Sequence, residues 1–499
     1  MPSLLIRTTR LVPVGVPAPT TGPVDLRLRD GRVVEIGARL APGPGEPMFD
    51  ADGRWAMPGL WDAHVHPVMW ALARSRVDLA GATCAEDVCR RLANALPERP
   101  GDGLVLGYGH RSATWPRPPT VAELDAVTGS RPVALASGDG HNGWLNSAAL
   151  ALIGEPQRTG ALAEDAWYAA YRRLEVRAAH VETPEAALDA ALDDAVARGV
   201  VGIVDFEFGS AFRAWPERVA RRRPPLRIRA ATYADGLEDV AAAGLRTGDP
   251  LVPEDDRVTM GPLKVIADGS LNTLTAWCCQ PYADPPDSRG RSNIGVDDLT
   301  DLLTQARGLG LDCAVHAIGD LAFAGTLAAI EASGQRGRIE HAQLIDAPSV
   351  PRMARLGLTA SVQPVHCLDD REAIARFWSD RSERAYAFRT LLDAGVPLAL
   401  GSDAPVAPLD PWRAMAAAVH RAGDGEPAWH PEQALTVAEA LAASTDGQTT
   451  LHAGSRADLV LLESDPLARV GDAEVRARHL RGMHVAATVI AGQIIHDAT

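Results

Sequence analysis

The chain has 499 residues, 46% apolar and 23% charged, with a net charge of −15. This is the composition of a globular protein with a large core, and it excludes a disordered chain. The acidic balance argues against nucleic acid or an anionic membrane as partner, and no apolar run approaches the roughly 20 residues of a membrane span.

Residues 1–7 lack the apolar core and cleavage site of a signal peptide, so a cytoplasmic protein is expected. The 6 cysteines form no metal or disulfide framework. Cys84 and Cys89 have the wrong spacing for one helix face, Cys278 and Cys279 are adjacent, and Cys313 and Cys367 stand alone. Buried or incidental thiols in a reducing compartment are expected.

In chain order, residues 1–53 read as short strands at 4–7, 24–28 and 30–37, with Asp30-Gly31 as a hairpin signal. The C-terminal residues answer with strands at 457–462 and 486–495. Two β-rich ends around an α/β middle predict a small β-sandwich assembled from residues 1–53 and 454–499, without chemistry of its own.

The segment Met57-Pro58-Gly59-Leu60-Trp61-Asp62-Ala63-His64-Val65-His66-Pro67 closes an apolar run on His-x-His. On a strand His64 and His66 share a face, which suits a divalent metal; an ordinary surface pair is the alternative. A helical pattern follows to about residue 100, with charged and apolar residues alternating at helix spacing over 86–92. Residues from about 100 to 180 read as an insertion, with strands at 104–109 and 132–137 around a Pro-rich stretch at 115–119. It runs into Asp139-Gly140-His141-Asn142-Gly143-Trp144-Leu145-Asn146, expected as a binding loop.

From 184 the alternation becomes regular. A helix over 184–198 precedes strands at 202–206, 226–233, 263–268, 312–316, 338–341, 359–363 and 398–403, with helices such as 299–309 and 385–394 between them. With the His64 strand these make eight, predicting an α/β fold: a (β/α)8 barrel over 54–453 with active groups at the strands' C-terminal ends. His64, His66, Lys264, His316, His341 and Asp403 occupy such positions. A lone histidine in an apolar strand is usually a core residue, but this many metal-type ligands at strand ends point to a metal site. Lys264, inside Leu263-Lys264-Val265-Ile266, must be buried, which disfavours its charged form. A neutral amine can take up carbon dioxide and become an anionic carbamate that bridges two metals; a buried pair with Asp268 is the alternative.

These segments resemble the amidohydrolase superfamily and, within it, the YtcJ-like branch that includes N-substituted formamide deformylases. Further matches are Asp139-Gly140-His141 with Leu145-Asn146-Ser147-Ala148-Ala149-Leu150, and Lys264-Val265-Ile266-Ala267-Asp268-Gly269-Ser270-Leu271. His316-Ala317-Ile318-Gly319-Asp320, Arg338-Ile339-Glu340-His341-Ala342-Gln343, Ser361-Val362-Gln363-Pro364-Val365-His366 and Gly401-Ser402-Asp403-Ala404-Pro405-Val406 complete the set. The resemblance implies a TIM-like metal-dependent hydrolase with two divalent ions, of zinc character. His64 and His66 would hold one, His316 and His341 the other, and N6-carboxylated Lys264 would bridge them. Asp403 would ligate metal and exchange the proton of the bridging water.

One departure is local: the branch often carries Gly-Trp-Asp before its Trp-Pro, whereas here Tyr108-Gly109-His110-Arg111 precedes Trp115-Pro116. The expected reaction is hydrolysis of a non-peptide C–N bond in a small-molecule amide, such as an N-formyl or N-acyl amine, by attack of a metal-bound hydroxide. His141 and His366 are expected to hydrogen-bond the substrate, and Asp268 and Asp320 to orient ligands. Glu164 matches a family pattern without an assigned role. The alternatives are a cyclic amidine or imide deaminase or ring-opening hydrolase, and a metal-binding protein without turnover. A homodimer is the family's habit. His110, His180, His420, His430, His452, His479, His484 and His496 have no spacing that suggests a role.

Overall fold

The computed structural model describes residues 3–74, 76–99, 101–178 and 184–499. His180 lies outside these residues, and the expected limits of the insertion fall at their gaps.

Eight strands form a parallel sheet: Leu60–Val65, Val200–Asp205, Arg227–Thr232, Asp255–Ile266, Cys313–Ala317, Gly337–His341, Thr359–Val362 and Leu398–Leu400. The last returns to the first through a parallel bridge between Val65 and Ala404. The Asp403 and His66 amides donate across this seam to His64 O and Ala404 O at 2.7 and 2.8 Å. Gly401 permits the close approach, since a Cβ there would lie 2.8 Å from His64 N. The result is a (β/α)8 barrel. Its strands are nearly continuous apolar runs because helices cover the outside and side chains fill the inside; every residue of Val200–Asp205 is buried. Helices such as Pro184–Ala197, Val296–Leu309 and Asp320–Ser333 bury Leu188, Leu192, Leu299, Leu303, Phe323 and Leu327 in the same core.

Strands from both chain ends build one eight-stranded sheet, running Gln493–Asp497, Val485–Ile490, Leu459–Leu462, Trp55–Pro58, Ser3–Leu11, Val24–Arg29 and Arg32–Gly37, with Met48–Asp50 beside Ser3–Leu11. A bulge between Ile6 and Thr9, with Thr8 at φ 57°, lets Ser3–Leu11 serve both halves. Leu26 and Leu28 from one half and Leu459, Leu461 and Val489 from the other meet in a single apolar cluster.

The insertion has its own five-stranded sheet, ordered Leu162–Ala163, Asn142–Leu145, Val133–Ser137, Val105–His110 and Val77–Asp78. Two features differ from expectation. Val77 and the helix Ala85–Ala95 pack in the core of this sheet, ahead of residue 100. Residues 142–145, expected as loop, are a buried strand that pairs on both edges. Only Asp139, Gly140 and His141 remain as the turn entering it. All six cysteines are free. No described helix is long and apolar enough to cross a membrane.

Candidate active site

His64 is the penultimate residue of the first barrel strand, Leu60–Val65, and His66 follows one residue beyond it. Both bring Nε2 to 3.4 Å from Asp403 Oδ1. Asp403 lies three residues past the eighth strand, in a left-handed conformation at φ 57°. The ligand atoms of His64, His66 and Asp403 form one group within 4.8 Å, and those of His341, His366 and Asp403 form a second. The His316 ring packs 4.5 Å from that of His341. Lys264 Nζ is 3.3 Å from His64 Nε2 and 4.3 Å from the Phe206 ring centroid. These side chains and His141 line a single cavity.

Three of the imidazoles have one nitrogen committed to an acceptor. His64 Nδ1 is 2.7 Å from Glu340 Oε2, His341 Nδ1 is 2.8 Å from Gln363 Oε1, and His316 Nε2 is 3.2 Å from Gly269 O. An acceptor on one ring nitrogen places the proton there and leaves the lone pair on the other, the arrangement of metal-ligating histidines. His66 Nδ1 and His366 Nε2 are buried without a hydrogen-bond partner among the described residues. Burial drives His64 and His341 well below the ordinary histidine range and His316 to about 3, with Lys264 adding to each shift. Burial alone would raise Asp403, but the facing His64 and His66 hold it below the ordinary carboxylate range. The neutral imidazoles of His64, His316 and His341 and an ionised carboxylate converging on one space are donors that suit a divalent cation.

Lys264 forms no ion pair with a carboxylate among the described residues, and burial lowers its pKa to about 8. The alternative pairing with Asp268 does not occur. Asp268 instead accepts backbone N–H groups from Trp277, Ile318 and Gly319, and its Oδ1 lies 3.4 Å from His316 Nε2. Among the described residues Asp320 has no histidine partner: it accepts from the Cys279 amide and pairs with Arg384. Among the residues without an assigned role, Arg111 pairs with Asp369 and Asp370 at the cavity wall. His110 is buried behind it, with Nε2 3.3 Å from Leu135 O. Glu164 reaches His141 Nδ1 at 3.2 Å.

Glu340 and Gln363 lie in the matching segments but had no expected role, and Tyr168 stood outside them. No single segment marked the first two: Glu340 shares the Gly337–His341 strand with Arg338 and His341, and Gln363 follows the Thr359–Val362 strand by one residue. Tyr168, whose hydroxyl is 2.8 Å from His141 Nδ1, follows Glu164 by one helical turn.

The sequence profile of the amidohydrolase family matches residues 48–496. The chain belongs to the amidohydrolase family. It is a hydrolase of carbon–nitrogen bonds, and its two His/Asp groups are candidate ligands for divalent metal. The chain is 28% identical over 487 residues to YtcJ of Bacillus subtilis (strain 168), covering 89% of this chain and 90% of that protein. It is 26% identical over 532 residues to the N-substituted formamide deformylase of Arthrobacter pascens, covering 94% of each. The crystal structure of an uncharacterized metal-dependent hydrolase from Pyrococcus horikoshii OT3 superposes with a TM-score of 0.75 at 26% identity, over 93% of this chain and 98% of that one.

Proposed function

We propose that this amidohydrolase is a two-zinc enzyme that cleaves the C–N bond of a small linear amide, an N-formyl or N-acyl amine. His64 and His66 would hold one ion and His316 and His341 the other, through the ring nitrogens opposite those bound to Glu340, Gly269 O and Gln363. Imidazole and carboxylate donors of this kind suit zinc. Lys264, carboxylated on Nζ, would bridge the ions, and Asp403 would complete the set.

The observation that carries this reading is Lys264: a buried amine beside His64 Nε2, with no described carboxylate paired to it. Addition of carbon dioxide to the neutral amine, with release of a proton, removes a cation whose burial Glu340 and Asp403 offset only in part and supplies an anion where two cations would sit. When bound, the two ions lower the pKa of a shared water and polarise a carbonyl. Asp403 would take the proton of the attacking water and return it to the departing nitrogen. His141 and His366 sit on the cavity wall, where they would donate to the carbonyl oxygen as charge develops on it.

The test is a panel of N-substituted formamides and N-acetyl amines incubated with zinc-loaded protein, reading amine release. Release by the wild type and not by Asp403→Asn is expected. No release from any member, by protein carrying two zinc ions per chain, would overturn the amide reading.

A further inference from the structure

His141 belongs to the insertion, whereas Lys264, His316, His341 and Asp403 belong to the barrel, so its aim depends on how the two are joined. The joint is Glu164. One carboxylate oxygen, Oε2, meets His141 Nδ1 at 3.2 Å, and the other, Oε1, accepts from Thr273 Oγ1 and Thr275 Oγ1 at 2.5 and 2.8 Å. Both threonines lie on the loop leaving the Asp255–Ile266 strand, which carries Lys264. The Glu164 amide also donates to His141 O at 2.9 Å, so backbone and side chain hold the same residue. Space is tight: a Cβ on Gly269 would lie 1.9 Å from Thr275 Oγ1 and 3.3 Å from Glu164 Oε1. Glu164 itself has φ 49°, a left-handed conformation that is costly for a residue with a side chain.

With Nδ1 engaged, Nε2 is the His141 nitrogen left for the cavity. We propose that Glu164 is a positioning residue for hydrolysis: it fixes the His141 ring with Nε2 toward the substrate carbonyl and ties that ring to the barrel loop through Thr273 and Thr275. This rests on the role given to His141 above. Acidic and polar groups surround the ring: Asp139 on its own turn, Glu164 and Tyr168 on the neighbouring helix, and Asp268, His316 and Asp403 on the barrel. Tyr168 competes for the same role, because its hydroxyl reaches the same nitrogen.

The test reads the His141 ring N–H signals of zinc-loaded protein by 15N NMR at neutral pH, assigned by their loss in His141→Ala. The wild type and Tyr168→Phe are expected to show a retained Nδ1–H signal. Glu164→Gln, which keeps the shape, is expected to exchange that proton at least tenfold faster, and Glu164→Ala to lose it. Zinc content should be unchanged in all four. With 4-nitroformanilide as probe, kcat of Glu164→Ala should fall about 10–100-fold with little change in KM, as for other residues that orient an active group. An unchanged Nδ1–H signal in both Glu164 variants would overturn the proposal, as would its loss in Tyr168→Phe alone. A wild type that retains the signal but cleaves no amide would instead count against the hydrolysis reading.

Discussion

Glu340 Oε2 lies 2.7 Å from His64 Nδ1, and the two side chains are 0% and 1% exposed. Arg338 Nε lies 2.6 Å from the other carboxylate oxygen as an ion pair, without the alignment of a hydrogen bond. The Glu340 contact fixes the His64 tautomer and leaves Nε2 facing Asp403 and Lys264. Glu340→Gln should therefore weaken zinc binding about 10–100-fold while the protein stays folded. Competition with a chromophoric chelator measures the change, and an unaltered affinity would remove Glu340 from that role.

Lys264→Met removes a buried cation and keeps a side chain of similar length. Such replacements are often neutral or stabilising when the charge lacks a partner. Metal-free Lys264→Met should melt no lower than metal-free wild type, yet it should retain at most one zinc ion per chain. Calorimetry and elemental analysis read the two quantities separately. A large loss of stability would mark Lys264 as a structural residue.

Asp403→Asn keeps the size of the side chain and removes its ability to accept a proton. The expected result is a kcat lower by roughly 10²–10⁴-fold, the range of general acid–base catalysis, with most of the metal still bound. Near-normal turnover would exclude Asp403 as the proton carrier.

His141 gives a pH signature in metal-free protein. Burial would lower its pKa, but the Glu164 contact and Asp139 raise it from 6.5 to about 8. A raised histidine binds its proton more tightly when folded. The stabilisation is therefore complete below pH 6.5 and is lost as pH rises through about 8, and it amounts to roughly 2 kcal/mol. The difference in unfolding free energy between wild type and His141→Ala should shrink over that window. A difference that grows with rising pH would contradict the sign.

The barrel was legible because strands buried on both faces write themselves as apolar runs, and His-x-His stands out at the end of one. The edges were less legible. Asp403 was expected on the eighth strand, but that strand stops at Leu400, where Gly401 lets the chain cross close to His64. Asn142–Leu145 resembled a loop in its Asn-Gly content, yet tertiary pairing with Val133–Ser137 and Leu162–Ala163 makes it a strand. Asp268 looked like a partner for Lys264 because the two are close in sequence. Backbone N–H groups of Ile318 and Gly319, just past the Cys313–Ala317 strand, and of Trp277, on the loop after Ile266, claim its carboxylate instead. Glu340 and Gln363 went unassigned because their importance lies in which ring they face, His64 across the barrel for Glu340 and His341 on the adjacent strand for Gln363, relations that no single segment encodes.

The central claim is a centre with two ions bridged through Lys264. The most direct measurement is zinc per chain, by elemental analysis of protein purified without chelator, with bicarbonate present throughout. About two per chain are expected for the wild type. One ion or none would contradict that claim, leaving Lys264 as a buried structural lysine and bringing forward a single-metal deaminase or a protein without turnover.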